Sequence, residues 1–157
     1  MTIPTQACSL PNPPDCLRFG DVRLRFSHIV PGDSARNLVP YYHFRIRLAD
    51  DTDAGHINLR VGDTEHIRQF AGHIGFGVDE AFRGRGLALQ ACIAIAPFVR
   101  TIYDVVTITC DPTNQASIRT IEKLGASFID EVSVPPPVSH RQEIRTKRRY
   151  RWAPRGR

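Results

Sequence analysis

The chain has 157 residues, 41% hydrophobic and 24% charged, a balance that suits one soluble domain with a buried core. Its net charge of +5 comes mainly from arginine, which admits an acidic partner without requiring one. The longest apolar stretch, residues 87–99, contains Gln90 and Pro97 and is too short to span a bilayer, so no membrane role is expected.

The start lacks a basic n-region and an apolar h-region. Cys8, Cys16, Cys92 and Cys110 show no C-x-x-C spacing, and Cys92 and Cys110 sit in apolar contexts typical of buried free thiols. A reducing, cytoplasmic setting is the expectation.

Residues 1–17 carry Pro4, Pro11, Pro13 and Pro14 without periodicity and read as a flexible lead-in, leaving 18–157 as a single domain. Residues 21–30 alternate, with Val22, Leu24 and Phe26 opposite Arg23 and Arg25, as a half-buried strand does. A turn-rich stretch at 31–37, capped by Asp33 or Ser34, precedes a second alternating run at 41–48. A hairpin turn at 49–55 and a returning strand at 56–61 follow. A polar loop, 62–69, leads to a strand at 71–78.

Residues 87–99 are apolar almost all round, which suits a helix buried against a sheet, with Pro97 as a kink or last-turn residue. Residues 103–110 are β-branched on both faces, as an interior strand should be. Strand, crossover helix and strand make a βαβ unit with parallel strands. A second helix follows, capped by Asp111 or Thr113 with Pro112 in its first turn, and ends at Gly125. Strands at 127–134 and 147–152 close the chain, the last with Tyr150 and Trp152 opposite Arg149 and Arg151. The class is α+β: a mostly antiparallel mixed sheet with a central βαβ unit.

Chemistry concentrates at Arg83-Gly84-Arg85-Gly86, between a strand and a helix. Two glycines let the backbone bend tightly and leave its N–H groups uncovered at the positive end of the helix. A phosphate-bearing ligand is the first inference. No third glycine completes a dinucleotide fingerprint, and no Gly-Lys-Ser/Thr follows. The six histidines (28, 43, 56, 66, 73, 140) and four cysteines lack metal-site spacing, so no metal is expected.

These residues resemble the GNAT superfamily of acyl-CoA-dependent N-acyltransferases. Its acyl-CoA loop, Arg/Gln-x-x-Gly-x-Gly/Ala, is matched by Arg83-Gly-Arg-Gly86-Leu-Ala88. Its second block is matched by Asn114-Gln-Ala-Ser117 and Glu122-Lys-Leu-Gly125. The similarity covers roughly residues 40–153. It implies a GNAT-like fold whose two parallel strands splay around pantetheine, with the N-terminal helical region shortened to 31–40.

The resemblance also implies acetyl-CoA as co-substrate. Its pyrophosphate would lie on the backbone N–H groups of Arg85, Gly86 and Ala88 in the loop that Arg83 and Gly84 open, with Arg83 and Arg85 as charge partners, and its pantetheine against the backbone of Phe76 and Val78. Asn114 would meet the pantetheine or thiol, and Ser117 would assist the leaving thiolate. Ser117 is like the serine of the branch that acetylates ribosomal-protein N-termini. Many members carry a tyrosine as acid where this chain has Ile121. A base for the amine is sought among His73, Glu65, His66, His56 and Glu143; His73 is the residue chosen, with a packed core histidine as its alternative.

The expected activity is direct acetyl transfer, in a ternary complex, to a primary amine of a small molecule or protein N-terminus. The alternatives are a nucleic-acid-binding module using the basic C-terminal strand, or an acyl-CoA-binding protein without catalysis. A homodimer is compatible with either.

Overall fold

The computed structural model describes residues 10–135 and 145–154. Cys8, His140 and Glu143 lie outside them. Five strands form one antiparallel sheet in sequential order: β1 (Arg18–Phe19), β2 (Val22–Val30), β3 (Tyr41–Arg47), β4 (Asp53–Arg60) and β5 (Ile74–Val78). Three more form a second antiparallel sheet in the order β6 (Val106–Cys110), β8 (Arg145–Trp152) and β7 (Ser127–Val134). Helix α1 (Leu87–Arg100) connects the sheets, and α2 (Gln115–Lys123) joins β6 to β7.

Alternation places Tyr42, Phe44, Ile46, Ile57 and Leu59 on the inner face of the first sheet, against Ala91, Ile95, Phe98 and Val99 of α1. Phe98 meets Tyr42 edge to face at 4.9 Å between ring centroids, a geometry aromatic quadrupoles favour. Residues 11–17 are less loose than their prolines suggest. The Tyr42 hydroxyl donates to the Pro11 carbonyl, and Leu17 is buried.

Three expectations change. The mixed sheet is instead two antiparallel sheets whose edges, β5 and β6, meet without a ladder among the described residues. The main-chain bond joining them runs from His73 N–H to Thr107 C=O, at 2.8 Å. The strand expected at 71–78 starts only at Ile74, because Ile67–Ala71 winds into a π-helical turn ended by Gly72 at φ 70°. Helix α2 is capped by Asn114, whose Oδ1 accepts the Ser117 N–H at 3.1 Å. Asp111 instead pairs with Lys147 at 2.8 Å.

Among the described residues, no helix packs over the outer face of the first sheet. In the register, Arg25, Arg45 and His56 form one row across it, and His28, His43 and Asn58 the next. Residues 31–40 supply a single 3-10 turn, Ser34–Arg36, too short to cover the face.

Candidate active site

The Arg83–Gly86 turn has the conformation its glycines allow. Gly84 and Gly86 stand at φ 80° and 71°, with open space where a Cβ would project. The backbone therefore demands glycine, and crowding does not. Among the described residues, the first hydrogen bond returning from α1 to this turn is Gln90 N–H to Gly86 C=O. The N–H groups from Gly84 through Leu89 thus point outward without a protein acceptor, at the positive end of a fourteen-residue helix. Arg83 Nε donates to Val78 C=O at 3.1 Å, pinning the turn to the end of β5. Arg85 lies 6.0 Å from the Phe82 ring.

Register fixes what β5 offers. Arg60 N–H bonds His73 C=O at 2.7 Å, and Asp79 N–H bonds Ala54 C=O at 2.9 Å. Odd-numbered residues of β5 therefore face β4, while the backbone groups of Ile74, Phe76 and Val78 face the open edge. Beside that edge lies a cleft of about 460 Å³, lined by Phe76, Cys110, Asn114, Ser117, His66 and Arg60, among others. With Oδ1 committed to the helix cap, the Asn114 amide nitrogen is left as the donor. The cleft thus gathers Phe76, Asn114 and Ser117 from segments far apart in sequence. Val78 and the Arg83–Gly86 turn are not part of its lining.

His73 is brought elsewhere. It is 5% exposed and is not part of the cleft lining. Its Nδ1 accepts the Thr107 N–H at 2.9 Å, and its ring lies 4.7 Å from that of Tyr103. Burial holds its pKa below the ordinary value. A neutral imidazole has one lone pair, and Thr107 occupies it. The geometry is that of a tie between β5 and β6, not of a base facing a substrate.

His66 does line the cleft, and burial, then the Arg60 charge, hold its pKa below the usual range. His56 packs over Gly77, where a Cβ would meet its Cε1 at 2.8 Å. Its pKa is lowered by burial, then by His43 and Arg45. Ile121, at the position where many relatives carry tyrosine, is fully buried in the core.

A family model for the GNAT acetyltransferase domain matches residues 18–127. The chain belongs to the GNAT acetyltransferase family.

Solved structures with this fold include the apo ribosomal L7/L12 α-N-protein acetyltransferase RimL (20% identity, TM-score 0.58, 73% of this chain and 70% of that one). RimL joined to coenzyme A through a cysteine disulfide also matches (18%, 0.55, 72% and 62%). So does the microcin C7 self-immunity acetyltransferase MccE with acetyl-CoA and AMP (16%, 0.57, 72% and 61%). The chain spans less than two thirds of the last two. No protein of curated function matches the sequence at a significant level.

Within the GNAT frame, sequence reading passed over Arg60, Cys110 and Lys147 as cleft residues. In the strand read at 56–61, alternation puts Arg60 on the face opposite Ile57 and Leu59 and says nothing further. The signal available was Gly75-Phe-Gly77, whose missing side chains let residues of β4 lean across β5. Among the described residues, no cluster of three metal-ligating side chains occurs, and no helix is long and apolar enough to cross a membrane.

Proposed function

We propose that this protein transfers an acetyl group from acetyl-CoA to a primary amine by direct attack within a ternary complex. The observation carrying this reading is the cleft that opens between β5 and β6 and ends at the first turn of α2. The free N–H groups of Gly84–Leu89, with Arg83 and Arg85, would hold the CoA phosphates. The outward backbone of Phe76 and Val78 would pair with pantetheine. Such a donor near the thioester oxygen stabilises the charge developing there. Asn114 and Ser117 would meet the departing thiolate.

His66 takes the place of His73 as the group that accepts the ammonium proton. It lines the cleft, and its lowered pKa keeps it neutral at pH 7. Rate should therefore be full at neutral pH and be lost on acidification, at a pH lower than an ordinary histidine would give. The decisive assay is thiol release from acetyl-CoA with a panel of primary amines. Amine-dependent release that disappears in Ser117→Ala and His66→Asn supports the reading; acetyl-CoA bound but unreactive toward every amine would leave a binding protein.

The CoA disulfide of RimL suggests a second assay. Cys110 lines the cleft, although burial pushes its thiol pKa up. CoA disulfide should exchange with it, forming Cys110–S–S–CoA and releasing one CoA thiol. Peptide mapping should find the adduct at Cys110 and none there in Cys110→Ser.

The basic C-terminal strand gives the nucleic-acid reading little support. Lys147, Arg148 and Arg149 pair with Asp111, Glu131 and Asp130, and Tyr150 and Trp152 are buried, so neither aromatic of this strand offers a free face for base stacking.

A further inference from the structure

None of the roles assigned above to the CoA-binding residues falls to Arg60, yet the fold goes to some length to place it. It extends from the outer face of β4 across β5 until its guanidinium covers Gly75. A Cβ there would come within 3.2 Å of both Nη1 and Nη2. Nη1 donates to the carbonyls of Ala71 at 3.2 Å and Gly72 at 3.3 Å, which fix the head group at the edge of the cleft. Nε and Nη2 have no protein acceptor, and no carboxylate pairs with the side chain, among the described residues.

A partly desolvated cation without a counter-charge is costly. Burial duly pushes the Arg60 pKa below its ordinary value. The neighbouring charges do not relieve it. Arg145 and Lys147 also line the cleft, and the lining carboxylate, Asp111, is engaged by Lys147. The pantetheine arm is uncharged, and the CoA phosphates belong at the Gly84–Leu89 turn. Among the described residues no carboxylate pairs with Arg60, and an anionic ligand would complete the site.

We infer that the cleft accepts amines bearing an anionic group, carboxylate or phosphate, close to the reacting nitrogen, and that Arg60 holds that group. The guanidinium fork matches both anions in bidentate geometry, and the Ala71 and Gly72 carbonyls leave its remaining donors directed at the ligand. Gly75 is the enabling residue, because even a Cβ there would crowd both Nη atoms of the guanidinium at 3.2 Å. This inference rests on the acetyl-transfer reading, and the test separates the two.

Protein loaded with CoA, its binding verified first by calorimetry, is titrated by NMR with product pairs that differ only in the anion. The pairs are N-acetyl-β-alanine with its amide, and N-acetyl-O-phosphoethanolamine with N-acetylethanolamine. Each anionic member should bind at least about tenfold more tightly than its neutral partner. The stronger-binding anionic member identifies the source of the anion. Arg60→Gln should abolish the difference and Arg60→Lys retain part of it, with CoA affinity unchanged in both.

Equal affinity within both pairs, or no binding of either anionic member, overturns the inference while CoA binding leaves the acetyl-transfer reading standing. Failure to load CoA overturns that reading instead. The wild-type comparison stands even if Arg60→Gln unfolds, since it needs no variant.

Discussion

The half of the site proposed to face CoA and the half proposed to face the acceptor are built by different means. On the CoA side, the essential geometry is local. Four consecutive residues, Arg83–Gly86, make the turn, and Asn114 caps the helix that carries Ser117 three residues later. On the acceptor side nothing is local. Arg60 reaches over Gly75 of the next strand, and His66 stands at the start of a π-helical turn whose Phe70 carbonyl accepts from Thr109 Oγ1 of β6 at 2.7 Å. A motif can specify the first kind of site. The second depends on register, where a one-residue slip would turn every side chain to the other face.

The two halves should separate in mutants. The largest effect is expected on the acceptor side, where His66→Asn should lower kcat by about 10²–10⁴-fold with the acetyl-CoA Kd unchanged. A parallel loss of acetyl-CoA affinity would merge the halves. Ile121→Tyr, which places the common family residue in this chain, should cost about 1–3 kcal/mol of stability by overpacking and leave kcat no higher, because position 121 faces the core. Urea denaturation and turnover measure both.

Arg83→Ala combined with Arg85→Ala should weaken acetyl-CoA about tenfold, since both guanidinium groups are exposed and screened, with kcat at saturation nearly unchanged.

His73, the tie between the halves, should reveal itself through pH. Burial depresses its pKa in the folded state, so the unfolded chain binds the proton more readily. The stability it contributes is complete above about pH 6.5 and is lost as pH falls below that value. His73→Gln should flatten this part of the pH dependence in urea melts at pH 7.5 and 5.5. The smallest effect belongs away from the site: Arg149→Ala removes a bidentate pair with Asp130 that is partly exposed, and should cost at most about 1 kcal/mol.

The same contrast decides what could be read from the sequence. The helices, the alternating strands and the α+β class follow from periodicity, and the anion-binding character of the Arg83–Gly86 turn follows from glycine spacing, while its reading as a CoA loop comes from the resemblance to the GNAT superfamily. The division into two sheets was not legible, because β5 and β6 read as good neighbours until the π-helical turn at Ile67–Ala71 and the His73–Thr107 contacts leave their remaining lengths unpaired. His73 misled for a related reason: a histidine on a central strand looks the same whether its lone pair faces a cleft or a backbone N–H. Arg60 was hidden by a rule that holds for most strands, that outward arginines are solvated. Only the glycines opposite reveal that this one is not.

The most direct test of the account is a calorimetric titration of the protein with acetyl-CoA beside the Arg83→Ala/Arg85→Ala variant. Micromolar binding that the double substitution weakens is the predicted result. No binding of acetyl-CoA at millimolar concentration would contradict it.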